Sequence, residues 1–379
     1  MTLREKIEQE IHESGPIPFS RYMEMCLYDP ELGYYSRNAE QFGKAGDFYT
    51  SSDVHAVFGR LLARQFEEMW RFLGSPRQIE VLELGPGRGL FAQDVLDWVE
   101  KKFPEFFCAL HYSLLERSPA LRERLRGTLK TRLAAGKASL VEEAEISALV
   151  PRAPIIVFAN EFFDALPVEV LSAEGALRVG AANGRFVESW TTASVEEIEF
   201  RDRYSIRPEP GERVEVALIA QAHMSEIAAR INRGFFMVID YGYAREEQLE
   251  GRHRDTISAF RRHSMSSSPY EAPGDQDITA HVNFTALAAA AHTNEMQAQP
   301  LLTQSQFLMG IGEPNHFADA FEECCLPQER AKVALQLKHL VTPAGMGESF
   351  HVLVASKGEM ARPVATLSGL SFGKERVIP

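Results

Sequence analysis

The segment Glu83-Leu84-Gly85-Pro86-Gly87-Arg88-Gly89 joins a short apolar run, Ile79 to Leu84, to a helical stretch that begins at Leu90. Glycines at such a turn let the backbone bend sharply and approach a ligand with no Cβ in the way. In an α/β sheet this strand-to-helix turn is where a nucleotide or adenosyl ligand binds. The spacing is G-x-G-x-G, and Leu90 stands where the dinucleotide pattern G-x-G-x-x-G requires a glycine. The pyrophosphate reading therefore loses ground. Two carboxylates flank the loop: Glu83 ends the first apolar run, and Glu116 ends the next one, Leu110 to Leu115. An acid at the end of the second strand suits the two ribose hydroxyls of an adenosyl ligand. S-adenosylmethionine carries a sulfonium and an α-ammonium but no phosphate, so an acidic loop favours it over NAD. A tight turn beside a solvated strand end is the plainer alternative.

A second group of polar residues follows the apolar run Ile155 to Ala159. Asn160, Glu161 and Asp164 fall at its C-terminal end, hence at the sheet edge that carries the glycine loop. Glu161 and Asp164, three apart, can share one face of a helical turn. Helix capping is the alternative for Asn160 and Glu161. Gly46 and Asp47 lie in a loop with Phe48 and Tyr49, which is expected to fold over the cofactor as a lid, with Asp47 as a further candidate acid. For Asp47 a turn role is the alternative. His281 reads as a structural histidine, and Arg261-Arg262-His263 as a solvated face.

Helices and strands must alternate to position these groups. Leu90 to Lys102 and Ala120 to Ala135 have helical character, whereas Ile79 to Leu84, Leu110 to Leu115, Ile155 to Ala159 and Phe235 to Ile239 are short apolar runs. This alternation predicts βαβ units and a mostly parallel, doubly wound α/β sheet buried on both faces. Leu3, Ile7 and Ile11 mark an N-terminal helix, Ser20 is a candidate cap for a second, and Val57 to Met69 carries a helical stripe. The stretch between the Ile155 and Phe235 runs is longer than a crossover requires. It predicts short strands from Val170 to Trp190 around Asn183-Gly184, as a β-hairpin element, then a crossover helix from Val214 to Ile231. Helices are expected at Phe317 to Leu326 and Ala331 to Leu340, and Phe350 to Ala355 as an alternating edge strand. We expect an N-terminal helical and loop segment over the cofactor site (1–75), a main domain (76–357) with acceptor-side insertions at about 168–213 and 242–282, and a C-terminal tail (358–379).

Composition sets limits. The 379 residues are 45% hydrophobic and 25% charged, as in an ordinary globular protein. A net charge of −13 argues against a nucleic-acid partner, whose affinity rests on Lys and Arg meeting phosphates. Cys26, Cys108, Cys324 and Cys325 lack the spacing of a zinc site, so no metal is expected. Such cysteine usage suits a reducing compartment, and no apolar run approaches the ~18 residues of a membrane span. The expectation is a soluble cytoplasmic protein without membrane insertion, of open oligomeric state.

Seven motifs together point to a family. They are GYYS (Gly33 to Ser36), GDFYTS (Gly46 to Ser51), ELGPGRG (Glu83 to Gly89), ANEFFDALPV (Ala159 to Val168), DYG (Asp240 to Gly242), DITAHVNF (Asp277 to Phe284) and GMGESF (Gly345 to Phe350). On these the chain resembles the MidA-like methyltransferases over most of its length. The resemblance implies a Rossmann-like methyltransferase sheet, S-adenosylmethionine as cofactor, and a protein arginine as acceptor. Mitochondrial members assist assembly of respiratory complex I, so a subunit of that complex is an implied protein substrate. An arginine stays protonated up to a pKa above ~12, so carboxylates must orient it, and Asp47, Glu161 and Asp164 are the candidates. Gly46, Glu83, Gly85, Gly87, Gly89, Glu116 and Asn160 are the candidates for the cofactor. An assembly factor that binds the cofactor without turnover and a small-molecule methyltransferase are the competing readings.

Overall fold

A computed structural model describes residues 1–36, 56–142, 153–249, 256–261, 264–265 and 268–372. Six strands form the body of the central sheet: β1 (Ile79–Leu84), β2 (Leu110–Leu115), β3 (Ala138–Val141), β4 (Ile155–Asn160), β5 (Gly234–Tyr243) and β6 (Phe350–Lys357). Their spatial order is β3-β2-β1-β4-β5-β6, parallel throughout except for β6, which runs antiparallel to β5. Successive residues of each strand feed opposite faces: Ile79 and Val81 enter one apolar layer, Leu82 and Leu84 the other. Helices Ala56–Phe72 and Leu90–Lys102 cover the first face. Helices Leu218–Arg230 and Phe284–Thr293, with the N-terminal helices, cover the second. Burial on both faces explains why these strands read as unbroken apolar runs.

This topology positions the site. The chain winds outward from β1 through β2 to β3, then returns to the other side of β1 with β4 and β5. Strand order therefore reverses between β1 and β4, where Leu84 pairs with Ala159. A crevice opens outside the carboxyl ends of the strands at such a switch point. The turns after β1, β2, β4 and β5 all meet there.

Several expectations need correction. Phe350 to Ala355 is no alternating edge strand: β6 is buried from Phe350 to Ser356, because the short strands Gln297–Ala298 and Leu302–Thr303 pair along its outer side. Ser20 does not cap the second helix, Phe19–Tyr28; Pro18 holds that position and the Ser20 hydroxyl donates to Glu169. The helix expected over Ala120 to Ala135 is split at Leu129 into Pro119–Thr128 and Lys130–Ala134, and the crossover helix expected from Val214 begins at Leu218, because Val214–Val216 pairs as a strand with Glu169–Leu171. Near the C-terminus, the first expected helix shrinks to Ala318–Phe321, and the second starts earlier, at Pro327, and runs to Val341.

The insertion is a layer in its own right. Strands Glu169–Ser172, Gly175–Ala182, Arg185–Thr191 and Val214–Val216 form an antiparallel sheet, which Ile17–Pro18 extends. Its hairpin turns at Asn183 (φ 52°) and Gly184 (φ 68°), the left-handed pair that a two-residue turn needs. Residues after β5 add a small sheet of Ser258–Arg261, Ser264–Met265 and Asp277–Thr279. No helix among the described residues is long and apolar enough to cross a membrane.

Candidate active site

A cavity of about 390 Å³ occupies the crevice. One end is built by the turns after β1 and β2. Gly85, Gly87 and Gly89 have φ of 62°, 54° and 77°, a left-handed region open to glycine at little cost. Gly85 donates its N–H to Leu115 O at 3.0 Å, tying the loop to β2. Gly89 begins helix Leu90–Lys102, and a Cβ there would lie 2.4 Å from Leu125 Cδ2, so close helix packing also demands glycine. Gly85 and Gly87 line the cavity, whereas Gly89 stands behind it.

Two buried acids share this end. Burial pushes the Glu83 carboxyl up to about 8, although the Tyr112 hydroxyl donates to it at 2.8 Å. Glu116 is pushed up to about 7 by burial, restrained by backbone N–H groups of Ser118, Gly87 and Arg117; Ser118 N donates to Oε1 at 2.9 Å. Both acids line the cavity.

The other end is the turn after β4, Asn160 to Asp164, which a residue of β5 shapes. Asp240 is fully buried, and its Oδ2 accepts the N–H groups of Phe162, Phe163 and Asp164 at 3.2, 3.0 and 3.3 Å. Its Oδ1 accepts from Tyr241 N at 3.0 Å. Burial and the neighbouring Asp164 and Glu161 carboxylates still hold Asp240 above the usual range. Glu161 enters the turn at φ 49°, a conformation a non-glycine residue adopts only when its surroundings enforce it. Glu161 N donates to Ile239 O at 3.0 Å, and the Asn160 amide donates to Glu161 Oε1 at 3.1 Å. Burial raises the Asp164 carboxyl to about 6, with a hydrogen bond from the Tyr241 hydroxyl opposing. Asn160, Glu161 and Asp164 all line the cavity.

A third wall comes from the N-terminus. The Tyr35 hydroxyl donates to Asp277 at 3.0 and 3.1 Å, and the Ser118 hydroxyl donates to Tyr35 O at 2.6 Å. Tyr28 donates to Ala165 O at 2.9 Å. These bonds join the GYYS segment to the turn after β2 and to Asp277, and the end of the helix Phe19–Tyr28 to the turn after β4. The remaining side is the helix Leu218–Arg230, through His223, Glu226, Ile227 and Arg230.

The profile of a family described as "Putative S-adenosyl-L-methionine-dependent methyltransferase" matches residues 61–301. The chain belongs to this family. It is 29% identical over 400 residues to the mitochondrial protein arginine methyltransferase NDUFAF7 homolog of Drosophila melanogaster, covering 95% of this chain and 86% of that one. The human mitochondrial protein arginine methyltransferase NDUFAF7 is 26% identical, over 90% of this chain and 80% of its own. A Burkholderia thailandensis structure, described as a candidate methyl transferase bound to S-adenosyl-homocysteine, superposes with a TM-score of 0.81 at 29% identity, covering 94% of this chain and 92% of that one.

The cofactor of this methyltransferase is S-adenosylmethionine, and the glycine-loop end fits it: a left-handed glycine turn beside two buried acids. When bound, it supplies the electrophilic methyl group. Gly46 and Asp47 lie outside the described residues. Among the described residues, the 168–213 insertion contributes nothing to the cavity lining, whereas Asp277 of the 242–282 insertion does. The inserted sheet packs against the N-terminal helices, and the helix Leu218–Arg230 lines the cavity in its place. His281 packs its ring on Tyr241, with centroids 5.3 Å apart, as a structural histidine does. Sequence reasoning missed Asp240, Tyr28, Tyr35 and Asp277 as parts of the site. DYG, GYYS and DITAHVNF were visible as motifs, but nothing in their spacing linked them to the turn after β4.

Proposed function

We propose that this methyltransferase acts on an arginine side chain of a protein, with the acceptor held beside Glu161 and Asp164. One observation carries the reading: Glu161 and Asp164, in the turn after β4, line the same cavity as the glycine loop. Methyl transfer from a sulfonium is an in-line displacement, so alignment and exclusion of water supply most of the catalysis. For a permanently charged guanidinium, carboxylates localise charge away from the attacking nitrogen. The names of the curated relatives support an arginine acceptor. The family resemblance makes a respiratory complex I subunit the first acceptor to test, and the cysteine usage supports action in a reducing cytoplasm. Mass spectrometry of arginine methylation across the proteome, with and without the gene, tests the reading. Loss of methylation at defined arginines in the deletion strain is expected. An unchanged arginine methylome would overturn it.

A further inference from the structure

Two atoms of the turn after β4 lack something. Asn160 Oδ1 and Asp164 Oδ1 are both shut off from solvent, neither has a hydrogen-bond partner, and both residues line the cavity. Asp164 as a whole is only 7% exposed. Buried acceptors are nearly always matched with donors, so an unmatched pair on residues that line one cavity calls for a ligand that brings N–H groups.

Which end of the Asn160 amide is unmatched follows from its neighbour. Only the amino end can donate to the Glu161 carboxylate, 3.1 Å away, so the carbonyl end is the one left over. Glu161 is thereby engaged, and its left-handed backbone, held by Ile239 O, keeps it so. Three N–H groups gathered on Asp240 fix the rest of the turn, including the Asp164 backbone.

We infer that the acceptor nitrogens are received by Asn160 Oδ1 and Asp164 Oδ1, and that Glu161 is a positioning residue that aims Asn160 and does not itself bind the acceptor. Asn160 thus moves from the cofactor to the acceptor. The ligand class follows from the atoms: a planar cation with N–H groups on more than one edge satisfies both oxygens, as a guanidinium does with its five donors. A hydroxyl acceptor offers a single donor and a carboxylate acceptor offers none. The inference rests on the arginine reading above, and goes further by saying which atoms select the arginine.

The test uses the full chain loaded with S-adenosylhomocysteine and titrated calorimetrically with N-acetylarginine methylamide, with N-acetylcitrulline methylamide as the uncharged control. The wild type is expected to bind the arginine probe and not the citrulline probe. Asp164→Asn and Asn160→Leu are expected to weaken the arginine probe about 10-fold or more, the scale of a lost charge-assisted contact, with unchanged affinity for S-adenosylhomocysteine and unchanged melting. Glu161→Gln, which keeps an amide oxygen for Asn160, is expected to change it by less than about 3-fold. Loss of the arginine probe in Glu161→Gln alone would overturn the assignment while leaving the arginine reading in place. Loss of S-adenosylhomocysteine affinity in Asp164→Asn and Asn160→Leu would also overturn it, giving the two oxygens to the cofactor's ammonium. A wild-type protein that binds S-adenosylhomocysteine but discriminates neither probe would sink the arginine reading itself.

Discussion

The two ends of the cavity are finished to different degrees. At the glycine-loop end the acids already have donors: Glu116 takes N–H groups of its own turn, and Glu83 takes the Tyr112 hydroxyl. At the other end Asp240 is saturated with four backbone N–H groups, while Asn160 and Asp164 in front of it keep acceptor atoms with no partner. The difference teaches a division of labour. Where the ligand's shape is accommodated by backbone, the protein completes its own hydrogen bonding; where a polar group must be selected, it leaves acceptors buried and waiting. Strain follows the same division, since the left-handed residues of the first end are glycines and that of the second is Glu161.

Substitutions at the two ends should therefore fail in different ways. Gly87→Val places a branched side chain at a left-handed position lining the cavity, and a loss of S-adenosylmethionine affinity of about 10²-fold or more is expected by calorimetry. An unchanged affinity would remove the glycine loop from the cofactor site. Asp164→Asn should show the converse pattern, with transfer to a protein acceptor reduced about 10²-fold and cofactor affinity nearly unchanged. Equal loss of both in either variant would mean that the two ends act as one.

Proton linkage sharpens the comparison at lower amplitude. Glu83 and Glu116 are held up to about 8 and about 7 by burial, so the protein without cofactor keeps protons there that the cofactor's ribose hydroxyls, donating to Glu116, and its positive charge would displace. Binding should release protons and tighten as pH rises from 6 to 8, by up to about 10-fold per pH unit for each proton released. Calorimetry in buffers of different ionisation enthalpy measures the release, and proton uptake would contradict the placement. The acceptor end should respond at lower pH, because Asp164, at about 6, becomes anionic as pH rises through that value.

Smaller still is the effect of Tyr112→Phe. Removing the hydroxyl that serves Glu83 should lower stability by about 1–2 kcal/mol in a denaturant titration, with the acceptor end unaffected. Val187→Ser lies on the exposed face of the inserted sheet, which contributes no lining, and should leave transfer unaltered and stability within about 0.5 kcal/mol. A transfer defect there would return the insertion to the acceptor wall.

The sequence alone determined the strands β1, β2, β4 and β5 and the turn after β1. Burial on both faces of a parallel sheet writes itself as unbroken apolar runs, and a left-handed turn against a ligand writes itself as glycines. Periodicity also marked the Asn183-Gly184 hairpin and the helix of Leu3, Ile7 and Ile11, since both are local. The second end of the cavity was legible only as a list of polar residues. Asp240 reaches Phe163 across 77 positions, and Tyr35 reaches Asp277 across 242, by hydrogen bonds that no spacing announces. Tertiary structure likewise decided that β6 is interior, because two-residue strands cover it, and that the hairpin contributes nothing to the lining of the cavity. Local conformation is set by near neighbours and by one residue's own sterics, whereas the partner of a buried polar atom is chosen by whichever distant segment the sheet's winding brings beside it.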